Sequence, residues 1–226
     1  MYLLILLICL ICFLFVVYKL SKDDFVFLRK DISIETVFNT IFLCAPFALL
    51  LSRIFYIYFN PQAVFFTVLG FIAFPYFPGF SLVGGILGAL LFIIIYALYR
   101  KLPLGRFIDF FSISLLASIC LGAFIVFFGI PFSMKPYIAL EFILFSLLLI
   151  IFWKFIRPFL SRGSLKDGSI GVLFLMFFSL ISLAGNILKF HALRLNQENI
   201  VLVMLFLVSL AVFSFREFGG KLKLKK

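Results

Sequence analysis

Long apolar stretches separated by short polar segments run along the whole chain. Each stretch comes close to or exceeds the roughly 18 residues that a helix needs to cross the hydrocarbon core of a membrane. The pattern therefore predicts an all-helical membrane protein with seven transmembrane helices in one domain covering 1–226. With proline, glycine and charged clusters taken as boundaries, the predicted spans are 2–18, 34–59, 81–99, 107–129, 137–156, 169–188 and 199–215.

One further apolar piece, at 63–77, differs from these spans. Pro75, Pro78 and Gly79 interrupt it or follow it closely. It is too short to cross the membrane as a helix, and the prolines remove backbone donors that a helix would use. We predict that the segment near 63–78 is re-entrant or lies at the membrane interface.

The composition excludes a soluble fold. Of the 226 residues, 65% are hydrophobic and 13% are charged, and the mean hydropathy is +1.30. Soluble domains have roughly 45–50% apolar and about 25% charged residues. No polar block in the chain is long enough to form a separate soluble domain.

The basic residues are distributed unevenly between the two sides of the membrane. With seven spans, 15 of the 20 Lys and Arg residues fall on one side and 3 on the other. Because Lys and Arg accumulate in cytoplasmic loops, the N-terminus is predicted outside and the basic tail at 217–226 in the cytoplasm. The net charge of +11 therefore reflects topology, and we do not expect nucleic acid as a partner. The first span lacks a basic leading segment and a small-x-small cleavage site, so we expect a retained helix.

Residues that typically bind metals are few. Cys9, Cys12, Cys44 and Cys120 all lie in predicted spans, where a thiol behaves as a small apolar side chain. The single histidine, His191, stands at the end of a span with no second histidine or carboxylate nearby. We expect neither a metal site nor a cofactor.

Ionisable residues at membrane depth are candidates for function, because burying a charge there costs about 2.5 kcal/mol or more. Arg53 lies toward the outer end of the second span, where it either binds a lipid phosphate or extends to the outer headgroups. Glu141, one turn into the fifth span, is expected to pair with Lys135 or with Arg53. Asp109, at the inner start of the fourth span, is expected to cap that helix.

Glycines are concentrated at the entry to the third span, in YFPGFSLVGGILGALL. A glycine lets a backbone or a ligand approach closely. Gly84 and Gly88 also form a small-xxx-small pair, whose ordinary role is the packing of two helices. Both interpretations, ligand approach and helix packing, stay open on the sequence.

The order of these landmarks resembles the prolipoprotein diacylglyceryl transferase family from about Leu49 to Phe215. SRIFYI resembles the family's Gly-Arg-x-x-Tyr-Val, and YFPGFSLVGGILG resembles Trp-x-Gly-Gly-Met-Ser-Phe-His-Gly-Gly-Leu-x-Gly. RFIDFFSISLLASICLGAF, KPYIALE and GVLFLMFFSLISLAGNILK resemble three later motifs in the family's order. The substrate-binding residues that the resemblance implies are Arg53, Tyr56, Ser81, Gly84, Gly85 and Glu141.

The resemblance implies a multi-pass protein of a bacterial plasma membrane. Family members transfer a diacylglyceryl group from phosphatidylglycerol to the lipobox cysteine thiol of a pre-lipoprotein, so phosphatidylglycerol and lipoprotein signal segments are the implied partners. No catalytic residue carries over, since the family's histidine position is Val83 and its two arginine positions are Ala123 and Ser182. We therefore expect diacylglyceryl transfer to be impaired or absent.

Three functions remain to be compared. The first is residual diacylglyceryl transfer that uses Arg53 and Glu141. The second is a non-catalytic membrane scaffold that binds a lipid or a signal peptide. A small transporter fits less well, because the sequence contains neither an internal repeat nor a relay of charges inside the spans.

Overall fold

A computed structural model describes residues 2–22, 24–72, 76, 79–129, 135–161, 165–190 and 196–222. All regular structure in this part of the chain is helical. The helices are α1 (Tyr2–Ser21), α2 (Phe25–Arg29), α3 (Ile34–Phe59), α4 (Val68–Ile72), α5 (Leu82–Arg100), α6 (Leu104–Gly129), α7 (Lys135–Ile151), α8 (Arg157–Ser161), α9 (Ser169–Phe190) and α10 (Gln197–Leu222). A 3₁₀-helix covers Ala63–Phe66, and a π-helical turn covers Phe152–Ile156.

Seven helices in the described ranges are long and apolar enough to cross a membrane, which confirms the predicted number. They cover Leu4–Ser21, Ile34–Phe59, Leu82–Arg100, Leu104–Gly129, Pro136–Phe159, Ser169–Lys189 and Gln197–Glu217. The last helix is longer than predicted, since α10 continues to Leu222. The first part of the expected tail is therefore helical, and 223–226 lie outside the described residues, as does His191.

The fifth span contains an irregular turn. α7 passes into the π-helical turn at Phe152–Ile156 and then into α8. Pro158 explains this change, because proline has no N–H and its ring crowds the carbonyl four residues earlier, here that of Lys154. The wider turn accommodates the proline, and the span stays continuous from Pro136 to Phe159.

Helix α6 lies at the centre of the bundle. It contacts α1, α5, α7 and α9, and its residues Ile113, Ser114 and Leu116 are fully buried. Small side chains allow α1 to approach closely, so that the Ser118 hydroxyl donates to the Cys9 carbonyl oxygen over 3.0 Å. The other close pairs are α3 with α5 and α9 with α10.

The apolar piece that follows α3 does not form an eighth span. Its regular structure is the short 3₁₀-helix at Ala63–Phe66 and the five-residue helix α4, both far too short to cross a membrane. The Ser81 N–H then donates to the Ser52 carbonyl oxygen over 3.1 Å, which returns the chain to α3. The segment thus leaves and rejoins the same end of α3, as a re-entrant or interfacial segment does. Pro75 and Pro78 lie outside the described residues.

Candidate functional site

A cavity of about 850 Å³ lies between α1, α3, α5 and α6, and Phe174 and Leu175 of α9 form part of its wall. Ligand sites in proteins typically measure about 300–1,000 Å³. Aliphatic and aromatic side chains form most of the lining, as suits a compartment at membrane depth. The lining residues with a polar or thiol group are Cys9, Cys44, Ser52, Arg53, Ser81, Ser112 and Ser118.

Arg53 is buried beside this cavity, with 3% of its surface exposed. Its guanidinium donates three hydrogen bonds to backbone carbonyl oxygens. Nη2 bonds to Gly70 over 2.7 Å, Nη1 to Gly79 over 2.8 Å and Nε to Phe71 over 3.3 Å. These bonds attach the segment after α3 to the helix itself, and the backbone engages three of the five guanidinium N–H groups.

Aromatic rings enclose the same guanidinium. Its central carbon lies 5.1 Å from the centre of the Phe65 ring and 5.8 Å from that of Tyr56. Tyr56 in turn packs against Gly79, where a methyl group would lie 2.1 Å from the tyrosine ring. Tyr56 therefore holds the re-entrant segment in place and does not line the cavity.

Ser81 and Ser52 join the start of α5 to α3 at the cavity. The Ser52 hydroxyl donates to the Ser81 carbonyl oxygen over 2.7 Å. The Ser81 hydroxyl accepts from the Gly84 N–H over 3.3 Å and so caps the N-terminus of α5. Gly85 lines the cavity one residue later, and a methyl group there would make an ordinary 3.6 Å contact with the Ser52 Cβ.

The glycines of the predicted small-xxx-small pair pack against α3. A methyl group on Gly84 would lie 2.5 Å from the Phe55 Cβ and 2.8 Å from the Leu51 carbonyl oxygen. One on Gly88 would lie 2.8 Å from the Leu51 Cβ. The helix-packing interpretation is therefore correct for Gly84 and Gly88, while the neighbouring Gly85 faces the cavity.

Glu141 lies elsewhere in the bundle. Its carboxylate packs so closely against Gly185 of α9 that a methyl group on that glycine would come within 2.2 Å of Oε1. It also interacts electrostatically with Lys189. Arg53 is bonded to carbonyls at another place, so the structure does not bring it to Glu141; the Lys135 side chain lies outside the described part of the chain.

Of the six predicted site residues, the structure brings Arg53, Ser81 and Gly85 together at the cavity. The sequence did not indicate the rest of the polar lining, which includes Ser52 and Ser112. The serine directly before the buried arginine was an available signal for Ser52. Ser112 offers no such signal, because only the packing of α6 reveals which of its serines faces the cavity.

A second polar cluster, on the side predicted to be cytoplasmic, was also missed. Arg106 is buried and forms an ion pair with Asp24, at 3.0 Å from Nε and 2.9 Å from Nη2 to the same carboxylate oxygen. Its Nη1 lies 3.0 Å from Asp167 Oδ1. Asp24 also caps α2 by accepting from the Val26 and Phe27 N–H groups. One arginine thus joins three polar segments that are far apart in sequence.

Asp109 has a different role from the expected one. It is fully buried, and its two carboxylate oxygens accept the N–H groups of Gly168 at 2.7 Å and Gly171 at 2.9 Å. It therefore caps the N-terminus of α9 and not that of its own helix. Beside it, the Ser169 hydroxyl contacts Glu217 Oε1 at 2.5 Å, which connects the start of α9 to the end of α10.

Comparison with known proteins identifies the family. The family model described as prolipoprotein diacylglyceryl transferase matches residues 1–215. The chain belongs to the prolipoprotein diacylglyceryl transferase family. Neither the curated proteins nor the solved structures provide a match to it. The fold and the family together make it a transferase-like, multi-pass membrane protein of lipoprotein biosynthesis.

The three positions where the sequence resemblance places the family's catalytic histidine and two of its arginines are apolar or neutral in this member. Val83 is buried in the core of α5 with 2% exposure. Ala123 lies on α6, and Ser182 on α9. Phe178, which takes the place of the family's late-span tyrosine, stacks between Phe145 and Phe174 at centroid distances of 6.1 Å and 5.9 Å.

Proposed function

We propose that this member of the transferase family binds a lipid and has lost most or all of its diacylglyceryl transfer activity. The main support for the proposal is that the Arg53 guanidinium is already hydrogen-bonded within the protein. Among the described residues that line the cavity, Arg53 is the one arginine or lysine, and its guanidinium is bonded to three backbone carbonyls. The cavity lies within the seven-span region that the family model matches over residues 1–215.

The family reaction needs charged groups that this lining does not supply. Attack of the cysteine sulfur on the glyceryl carbon breaks the bond to the phosphate, so glycerol phosphate leaves with the bonding electron pair. A cationic group stabilises that leaving group, and a base removes the thiol proton. Losing one such electrostatic contact costs about 10²–10³ in rate, and losing a general base costs about 10²–10⁴.

Residual transfer through Arg53 and Glu141 is the competing function, and the geometry disfavours it. Arg53 donates hydrogen bonds to the re-entrant segment, whereas Glu141 packs against Gly185 outside the cavity lining. A general base must come within about 2.6–3.2 Å of the proton it removes. The position of Glu141 outside the lining supports the absence of a base for a thiol bound in this cavity.

Family membership supports the remaining assignments. We place the protein in a bacterial plasma membrane, with phosphatidylglycerol and the lipoprotein signal segment as the partners that the family reaction implies. The cavity favours a lipid, because apolar side chains from four membrane helices line it.

A transfer assay tests the proposal. Purified protein in lipid is given phosphatidylglycerol with labelled acyl chains and a lipobox peptide, beside an active family member at equal concentration. We expect no label on the peptide above background, while the active member labels it. Transfer above background by the folded protein would contradict the loss of activity.

A further inference from the structure

The cavity is open to the membrane on its outer half. Lining side chains that are also exposed include Leu7 of α1, Leu50 of α3 and Leu82 of α5, with 52%, 47% and 50% of their surface exposed. Leu7 lies near the start of α1 and Leu82 at the start of α5, ends that the charge bias assigns to the outside. An acyl chain in the outer leaflet therefore has a direct apolar path into the cavity.

The charge around this cavity does not suit an anionic headgroup. The carbonyl oxygens of Gly70, Phe71 and Gly79 stand around the Arg53 guanidinium and point the negative ends of their dipoles at it. A phosphate beside Arg53 would compete with these oxygens for the N–H groups of the guanidinium. Because an unpaired charge in an apolar compartment is costly, a phosphodiester gains little here to offset its desolvation.

The lining does provide neutral polar groups. Ser112 lines the cavity, and its hydroxyl has no hydrogen-bond partner within the described part of the chain. By contrast, the hydroxyls of Ser52, Ser81 and Ser118 all make hydrogen bonds within the protein. The Ser112 hydroxyl can form a hydrogen bond with an ester or hydroxyl group of a ligand. Such a group is uncharged, so it needs no counter-charge in the apolar wall.

We propose that this cavity binds an uncharged diacyl glycerolipid, of the diacylglycerol class, in preference to phosphatidylglycerol. The inference rests on the proposed function, because it names the ligand of the same site. Two acyl chains occupy the apolar volume from the outer leaflet. The glycerol esters and the free hydroxyl lie among neutral groups, with Ser112 as the polar contact.

Competition binding on the full-length protein in detergent tests this preference. The probe is radiolabelled dioleoylglycerol, and the competitors are unlabelled dioleoylglycerol and dioleoyl-phosphatidylglycerol. We expect dioleoylglycerol to displace the probe at a concentration at least about tenfold lower, because the phosphodiester charge finds no free cation. Equal or stronger displacement by dioleoyl-phosphatidylglycerol, or no binding of the probe, would overturn the proposal.

Two variants that fill the cavity locate the bound lipid. Gly85→Leu and Ala89→Leu both add side-chain volume to the lining, and each is first checked for a cooperative thermal transition. We expect probe binding to fall at least about tenfold in the variant that folds, and to be unchanged in Leu147→Phe, which adds volume to an exposed position outside the lining. Unchanged binding in a folded filling variant would also contradict the proposal.

The binding experiment and the transfer experiment test different claims, so either claim can be contradicted without the other. Transfer of label to a lipobox peptide would contradict the loss of activity, whatever lipid the cavity prefers. A preference for phosphatidylglycerol without transfer would overturn only the ligand class.

Discussion

Arg53 donates from Nη2 to the carbonyl oxygen of Gly70 over 2.7 Å, within the membrane domain and 17 residues along the chain. A short re-entrant helix has carbonyl groups that no intrahelical partner satisfies. The guanidinium supplies the missing donors, and the carbonyls in turn stabilise the buried cation. This mutual arrangement explains why an arginine is tolerated at membrane depth without a carboxylate, and it fixes one edge of the cavity.

Arg53→Lys should loosen the re-entrant segment. A lysine ammonium is a compact charge and does not reproduce the planar donors that reach three carbonyls. Hydrogen bonds to charged groups contribute about 1.5–3 kcal/mol each, so hydrogen exchange of α4 amides should speed up at least about tenfold. Arg100→Lys, at an exposed position, is the matched control and should leave that exchange unchanged. Equal exchange in both variants would mean that Arg53 does not anchor the segment.

The two adjacent glycines of α5 should respond differently to alanine. Gly84→Ala brings a methyl group within 2.5 Å of the Phe55 Cβ, so α3 and α5 must move apart, at a cost of about 1–3 kcal/mol. Gly85→Ala makes only a 3.6 Å contact and also removes a glycine from a helix interior, which stabilises by roughly 0.5–1 kcal/mol. Thermal unfolding in detergent should show a lower midpoint for the first variant and an equal or higher one for the second. The reverse order would contradict the assigned packing.

Much of the fold was predictable from the sequence, because membrane spans follow directly from apolar length. The second span was predicted at 34–59, the same bounds as α3. The site was less predictable, because adjacent residues on a helix face different neighbours. Gly84 and Gly85 look alike in the sequence, and only the position of α3 determines that one packs and the other faces the cavity.

Arg106→Met should destabilise the protein strongly. It leaves the buried carboxylate of Asp24 without its cation, and breaking a buried pair by removing one partner costs about 3–5 kcal/mol. The midpoint of thermal unfolding should therefore fall clearly below that of the unaltered protein. Arg100→Met, on the same predicted side but exposed, should change the stability by less than about 0.5 kcal/mol. Similar midpoints for the two variants would show that the Arg106 pairs add no net stability.

Asp109→Asn should weaken the start of α9. The carboxylate accepts two backbone N–H groups, whereas an asparagine side chain has one acceptor oxygen and turns an NH₂ group toward the other donor. A buried donor left without a partner costs about 1–3 kcal/mol. Asp31→Asn, at an exposed loop position with φ of 51°, is the control and should be neutral, because asparagine tolerates this backbone conformation. Equal thermal midpoints in the two variants would refute the capping role.

These polar contacts explain what the sequence could not reveal. Asp24 and Arg106 are 82 residues apart, and Asp109 and Gly171 are 62 apart. Each residue taken alone fits a cytoplasmic loop or a helix end. Their partners depend on how α6 packs against α1 and α9, which the hydrophobic pattern of the individual spans does not specify.

The central claim, a lipid site without transfer chemistry, is tested most directly by a single-turnover measurement. The protein is held in excess over phosphatidylglycerol labelled in its headgroup, a lipobox peptide is added, and released glycerol phosphate is followed over time beside an active family member. If the site lacks transfer chemistry, we expect the labelled lipid to stay intact while the active member releases its headgroup. Release of glycerol phosphate in proportion to peptide modification would contradict it and show that the remaining residues still perform the reaction.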